Sequence, residues 1–314
     1  MWRHSLPDNK SYDLITGGAG FVGSHLARYL IGMGRSVRIL DDLSTGQLSN
    51  LGDLNSKIDF LHGSILDDAL VNKAIKGVQT VYHLAAIASV QRSIENPQLS
   101  HEVCATGTLK VLDHARTNGC RRLVFAASSS AYGNCTTPVQ CEDSPVIPMS
   151  PYAAAKLAGE AYCQAFALGM NFETVRLRFF NIYGPNQRSD SPYSGVIAIF
   201  ANAFKAGKIP TIHGDGLQSR DFVHVSDAVQ ALWLAGTSSK VSGQVFNIGT
   251  GTSTSLLDLV SYLKTILGSS LSVQHGPPRA GDVRHSLANI EKARNLLGFN
   301  PKMPVKDGLA NLLS

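Results

Sequence analysis

Charge is scarce in this chain of 314 residues: only 16% of positions are Asp, Glu, Lys or Arg, and 28 basic against 23 acidic residues leave a net +5. An excess that small and dispersed excludes a nucleic-acid-binding stripe, yet it suits anionic ligands such as phosphates. Cysteine is scarce as well. The five, Cys104, Cys120, Cys135, Cys141 and Cys163, are odd in number and show no CxxC spacing, which argues against a disulfide framework and for a reducing compartment. No apolar run reaches transmembrane length, and Met1 to Asn9 lacks the apolar stretch of a signal peptide. The expectation is therefore a soluble cytoplasmic protein with no membrane partner. Internal repeats, low-complexity tracts and long charge runs are missing too. What the chain has instead is 44% hydrophobic residues, enough for a sizeable core in one large or two ordinary domains, which rules out disorder and a fibrous fold.

Short apolar, β-rich runs recur at Tyr12 to Thr16, Ser36 to Leu40, Lys57 to Leu61, Thr80 to Leu84, Arg122 to Ala127 and Glu173 to Phe179, with helical patterns between them. This alternation predicts βαβ units, and hence an α/β chain with a doubly wound parallel sheet covered by helices on both faces. After about residue 180 the rhythm changes. A loop rich in Pro, Asn, Ser and Gly, Asn181 to Ser194, leads to helical patterns at Val196 to Lys205, from Ser226, and at Leu256 to Leu267, Ile290 to Leu297 and Val305 to Leu313, with a short strand at Thr211. The expected division is a dinucleotide-binding domain over residues 1–180, to which about 222–248 returns, and a smaller α/β domain from 181–221 and 249–314 over the carboxyl edge of the sheet.

The first strand runs straight into Gly17, Gly18, Ala19, Gly20, Phe21, Val22 and Gly23, followed by a helical pattern. Glycine is needed where the chain turns sharply, where backbone approaches a pyrophosphate and where helix packs on strand; the helix amino terminus then faces the phosphates. A second strand ends in Asp41, 18 residues after Gly23. A carboxylate there accepts hydrogen bonds from the adenosine ribose and repels a 2′-phosphate, which favours NAD over NADP. The ribose ligand is Asp41 or its neighbour Asp42.

Ser150, Pro151 and Tyr152 read as a helix start, Ser as N-cap and Pro at the first helical position. Tyr152 and Lys156 are four apart and so share one helix face. A tyrosine is almost wholly protonated at neutral pH; an ammonium nearby, with the positive nicotinamide ring, favours the phenolate and makes a general base. Ser128, Ser129 and Ser130 directly follow a buried strand, at the sheet edge where such folds place ligands, and a hydroxyl there can share the proton between substrate and Tyr152.

With these features assembled, the chain resembles the extended short-chain dehydrogenase/reductase family of nucleotide-sugar epimerases and dehydratases over nearly its whole length. Gly17, Gly20 and Gly23 match its GxxGxxG, and His83, Leu84, Ala85 and Ala86 its segment beside the nicotinamide. Ser128, Tyr152 and Lys156 match its catalytic trio. Arg178 to Pro185 match the substrate-side loop whose Asn, here Asn181, contacts the sugar diphosphate. Gly214 to Gly216 and Arg220 to Asp227 match a segment whose Arg binds phosphate, and Arg279 to Asp282 the late uridine and diphosphate motif. A guanidinium fork suits a diphosphate, which gives Arg220 and Arg279 that role. The resemblance implies a Rossmann-like fold, bound NAD, a UDP-sugar substrate and a homodimer formed through helices near Pro97 to Ala115 and Tyr152 to Ala167. It assigns to the cofactor Phe21, Val22, Ser44, Gly46, Ser64, Ile65, Leu84, Ala85, Ala86, Tyr152 and Lys156 besides the glycines and Asp41 or Asp42. To the substrate it assigns Ser128, Ser129, Ser130, Tyr152, Asn181, Val196, Arg220, Arg279, Asp282 and Ser286.

Two positions depart from the family pattern: Cys104 stands where an Asn is common in N-x-x-G-T, and Ser64 where the adenine-binding strand end usually carries Asp. A dehydratase of this superfamily carries an Asp-Glu pair where this chain has Ser129 and Ser130, and a decarboxylase subgroup carries Glu at the Ser130 position. The resemblance therefore implies a simple 4-epimerase. A non-catalytic NAD-sensing regulator usually lacks the Tyr and Lys, and a steroid-type dehydrogenase does not need the diphosphate arginines. The position of Ser286 borders the sugar 2-substituent in the family: a Tyr there restricts the pocket to plain hexoses, whereas a small residue leaves space for N-acetyl. Arg188 instead suits a uronate carboxylate, and dTDP-6-deoxyhexoses stay open as well.

Overall fold

A computed structural model describes residues 11–188, 195–278 and 283–313. The chain opens as β1 (Tyr12–Thr16), α1 (Phe21–Gly32), β2 (Ser36–Asp41), β3 (Ile58–His62), α2 (Asp68–Ile75) and β4 (Val78–His83). Two short helices follow, α3 (Val90–Glu95) and α4 (Pro97–His101); the second runs through a π-turn at Glu102–Thr106 into α5 (Gly107–Thr117). Next come β5 (Arg122–Ser128), α6 (Pro151–Gly169), β6 (Glu173–Phe179) and β7 (Asn181–Tyr183). The remainder comprises α7 (Val196–Lys205), β8 (Thr211–His213), β9 (Ser219–Arg220), β10 (Phe222–His224), α8 (Val225–Thr237), β11 (Val245–Ile248), β12 (Thr254–Ser255), α9 (Leu256–Leu267), β13 (Gln274–Gly276), β14 (His285–Ser286), α10 (Glu291–Leu297) and α11 (Val305–Leu313).

Seven of the strands form one parallel sheet in the order β11-β6-β5-β4-β1-β2-β3. Successive residues of each strand face opposite sides. Ile15, Ile39, Val124, Val175 and Leu177 pack with Leu26 and Leu30 of α1 and Val229 and Leu232 of α8, while Leu14, Leu40, Val81, Leu123 and Phe125 pack with helices α2, α5 and α6. The expected doubly wound sheet is thus a three-layer sandwich. A third core, around Phe200, Phe204, Leu259, Leu263 and Leu309, holds α7, α9 and α11 together, and short ladders β7/β10, β8/β13 and β12-β9-β14 lie beside it. Expected elements recur within a residue or two, with two differences: the helix expected near Pro97 to Ala115 is interrupted by the π-turn, and the loop expected from Asn181 opens with a strand, β7, that pairs with β10. Among the described residues no helix is long and apolar enough to cross a membrane.

Candidate active site

At the carboxyl end of β1 the glycine-rich loop is shaped by contacts that only glycine permits. Gly17 has φ +72°, and a Cβ on it would stand 2.9 Å from both N and Cα of Ala85; a Cβ on Gly23 would lie 2.3 Å from the Gly17 carbonyl. Leu84 and Ala85 therefore run directly against the loop, and Ala86 packs with Cys104, Ala155 and Tyr152. Helix α1 starts at Phe21 and Val22 with neither a side-chain cap nor an acid in its first turn, so its terminal N–H groups and dipole are open to an anion. Asp41 ends β2 and folds back into the loop, its carboxylate accepting from Ala19 N and Leu43 N, both at 2.8 Å. Burial raises its pKa, and those two bonds work against the rise. Gly46 leaves just enough space beside it, since a Cβ there would be 3.0 Å from each carboxylate oxygen. Asp42 points elsewhere: it is exposed and accepts from Ser44 N at 2.9 Å and Ser44 Oγ at 2.6 Å. On the far side Ser64 Oγ accepts from Leu66 N, and Ile65 is buried against Gly107. A cradle of backbone donors with one buried carboxylate fits a dinucleotide's pyrophosphate and ribose.

Ser150 caps α6 by accepting from Ala153 N at 3.2 Å, with Pro151 at the first helical position, as the sequence predicts. Tyr152 and Lys156 then project from one face of this helix towards the end of β5. Ser128 Oγ accepts from both Ser130 N (3.2 Å) and Ser130 Oγ (2.8 Å), which commits its own proton outward, and it is hydrogen-bonded to Tyr152. Burial pushes the Tyr152 phenol well above its usual pKa, and the Ser128 bond opposes that only in part. The Lys156 ammonium is buried, donates to Ala126 O at 2.8 Å and lies 4.9 Å from the centre of the Phe125 ring. Desolvation lowers its pKa. Lys156 is therefore held against the end of β5 rather than turned to solvent.

Three of the residues expected to contact substrate, Asn181, Arg220 and Ser286, meet around Asp221, which the sequence reading left without a role. Ser286 of β14 pairs with Arg220 of β9, and Asp221 N donates to Ser286 O at 2.8 Å while Asn181 N donates to Asp221 O at 3.0 Å. The fully buried carboxylate of Asp221 accepts from Thr250 N and Oγ1 (both 2.7 Å), Gly251 N (2.9 Å) and Ala288 N (3.2 Å). Asn181, Arg220 and Ser286 thus share one rigid junction. Its only sequence signal was an acid inside a matched motif. Val196 opens α7, half-buried against the third core; Ser129 lies on the turn after Ser128. Arg279 and Asp282 lie outside the described residues.

Residues 14–249 match the model of the NAD dependent epimerase/dehydratase family. A UDP-glucose 4-epimerase of Mycolicibacterium smegmatis is 37% identical over 301 residues, covering 95% of this chain and 96% of that protein. Among solved structures, the UDP-glucose 4-epimerase of Thermotoga maritima with UDP-glucose superposes with a TM-score of 0.92 at 36% identity, covering 96% of this chain and 97% of that one. A UDP-N-acetylglucosamine 4-epimerase from Methanobrevibacter ruminantium, in complex with UDP-N-acetylmuramic acid, gives 0.92 at 33% identity, with 96% of each chain covered.

Proposed function

The chain belongs to the NAD dependent epimerase/dehydratase family, and we propose that it is a UDP-sugar 4-epimerase working through a 4-keto sugar. One observation carries this reading: Ser128, Tyr152 and Lys156 converge at the sheet edge beside the glycine cradle, while Ser129 and Ser130 leave no acid and base for eliminating water. Tyr152 takes the proton of the sugar 4-hydroxyl, and Ser128 directs its own proton to the same oxygen. NAD, when bound, takes up and returns two electrons and a hydrogen at C4 and, oxidised, adds a positive charge near the phenol. Because burial, with Cys104 nearby, holds Tyr152 protonated against the Ser128 bond, its proton leaves only in that charged state. Asp41 binds the ribose in this reading, and Asp42 orders the 42–44 turn. Arg220, Arg279 and Asn181 hold the diphosphate, about which the keto sugar turns over before C4 is reduced from the other face. Residues 181–221 and 249–314 form the sugar-nucleotide domain, and the working unit is a homodimer.

Ser286 is small and sits opposite Arg220 in the ladder, so the pocket accepts UDP-N-acetylglucosamine and UDP-N-acetylgalactosamine beside plain hexoses. The test is turnover of a panel of UDP-glucose, UDP-N-acetylglucosamine, UDP-glucuronate and a dTDP-deoxyhexose, together with the nicotinamide released on denaturation. Stoichiometric NAD and a Tyr152→Phe loss of about 100-fold to 10,000-fold are expected. Ser286→Tyr should suppress the N-acetylated pair and spare the hexoses. Turnover surviving in Tyr152→Phe removes the catalytic reading, and activity confined to the uronate moves substrate choice to Arg188.

A further inference from the structure

Beneath the candidate site runs a chain of hydrogen bonds sealed from water, in which each proton has one possible direction. Thr16, His83, Thr108 and Cys104 are all fully buried. Thr108 Oγ1 lies 2.7 Å from the Cys104 carbonyl, which can only accept, so the single proton of Thr108 is spent there. Towards His83 Nε2, at 3.0 Å, Thr108 must then accept, and Nε2 carries the hydrogen. The other nitrogen, Nδ1, lies 2.7 Å from Thr16 Oγ1. Burial and the Lys156 ammonium press the His83 pKa down to about 3, so the ring is neutral and Nδ1 accepts from the Thr16 hydroxyl. Thr16 Oγ1 in turn accepts from Ala85 N at 3.3 Å. The chain is oriented throughout, from the backbone of the 84–86 segment to the carbonyl of Cys104.

Both ends of this chain reach the reacting centre. Cys104 lies in the π-turn, a kind of helix irregularity frequent at functional positions, and the turn's Cys104 and Ala105 pack with Tyr152, Ala155 and Ala158 of α6. From the face of the ring there is a second route: His83 stacks on Phe125 with centroids 5.8 Å apart and planes at 27°, and Phe125 seats the Lys156 ammonium.

We propose that His83, fixed as its neutral Nε2–H tautomer between Thr16 and Thr108, is a positioning residue that sets Tyr152 and Lys156 relative to the 84–86 segment beside the cradle. Through Thr108 it pins the π-turn against which Tyr152 rests, and through Phe125 it supports Lys156. The inference rests on the reading of Tyr152 as the base, and it adds a residue that touches neither sugar nor cofactor.

Thr108→Val keeps the shape and removes the link to His83 and to Cys104 O. His83→Phe keeps the stacking but removes both hydrogen bonds. His83→Gln keeps a neutral acceptor for Thr16 and a donor for Thr108. With the purified, NAD-loaded enzyme and UDP-glucose, Thr108→Val and His83→Phe should retain NAD and KM while kcat falls about tenfold to a hundredfold, the scale of a misplaced reacting group. His83→Gln should lose less than His83→Phe. Unchanged kcat in both Thr108→Val and His83→Phe overturns the proposal. So does a joint fall of kcat and NAD content with a raised KM and Gln no better than Phe, which is the signature of a merely structural residue. Tyr152→Phe, assayed alongside, separates the two levels: an inactive Tyr152→Phe beside a normal Thr108→Val defeats this inference alone, whereas an active Tyr152→Phe defeats the reading beneath it.

Discussion

His83 stores a pH dependence that an exposed histidine lacks, because its imidazole is neutral in the fold and free to charge once the chain unfolds. Its folded pKa of about 3, set by burial and then by Lys156, lies below the unfolded value near 6.5. Between those limits the unfolded chain binds more protons, so stability rises with pH across the window and is lost as pH falls from about 6.5 towards 3. Each pH unit is worth about 1.4 kcal/mol for one such group. Urea unfolding of wild type and His83→Gln at pH 7 and pH 5.5 should therefore show the wild type losing about 1 kcal/mol more than the variant on acidification. Equal losses would mean that His83 is reached by water or already protonated. Single residues differ in how far the sequence discloses them. Ser128, Tyr152, Lys156 and Asp41 lie where spacing along a helix or the end of a strand puts them. The partners of His83 are 67 and 25 positions away in the chain, and no local pattern announces them.

Helix α6 carries the Tyr-Lys pair, and what fastens it to the sheet is a buried ion pair four residues beyond Lys156. Arg178 of β6 donates through Nε to both Glu160 oxygens at 3.0 Å and through Nη2 to Oε2 at 2.8 Å, while Nη1 reaches Tyr132 Oη at 3.0 Å. Burial by itself would lower the arginine's pKa; the Glu160 bonds and charge, then Tyr132, more than offset this and raise it. Glu160→Gln leaves that cation buried without its counter-charge, a change that typically costs about 3–5 kcal/mol. A thermal melt should show the loss, and exchanging both partners for apolar residues, as in Glu160→Met with Arg178→Leu, should recover part of it; a melt indifferent to Glu160→Gln would contradict the account. Elements long enough to show a period were legible from the sequence: α9, for example, spans the predicted Leu256 to Leu267, with a Ser255–Asp258 capping box at one end and a left-handed Gly268 at the other. Strands of two residues, β9, β12 and β14, have no period to read. Asp221 ties Thr250, Gly251 and Ala288 together beside them through contacts far apart in the chain, and the π-turn at Cys104 likewise leaves no mark in the hydrophobic pattern.

At the scale of the whole molecule, three helices leave apolar side chains on the outside of the sandwich: Val90 and Ile94 of α3, Leu99 of α4 and Tyr162 of α6 are all exposed, on helices that pack against one another. We take this group as the expected contact of the proposed homodimer, since apolar exposure grouped on neighbouring helices suits an interaction face and scattered single apolar residues do not. The face lies on the outer layer that also holds the π-turn and the body of α6, so covering it would stiffen the supports of Tyr152 and Lys156 from the side opposite the sheet. A second copy presenting the same patch about a two-fold axis is self-complementary and closes the assembly at two. Light scattering should accordingly give twice the 33.6 kDa of one chain. Ile94→Glu with Leu99→Glu would bury two carboxylates per subunit in that contact without partners, and the dimer should dissociate. Leu296→Glu, on the exposed face of α10, should leave the mass unchanged. A wild type that is monomeric at micromolar concentration, or a double variant that stays dimeric, would place the contact elsewhere or nowhere. If the pair dissociates as expected, kcat should fall in the monomer while NAD stays bound, because the cradle at β1 and α1 stands on the core of a single chain whereas α6 has lost its outer support.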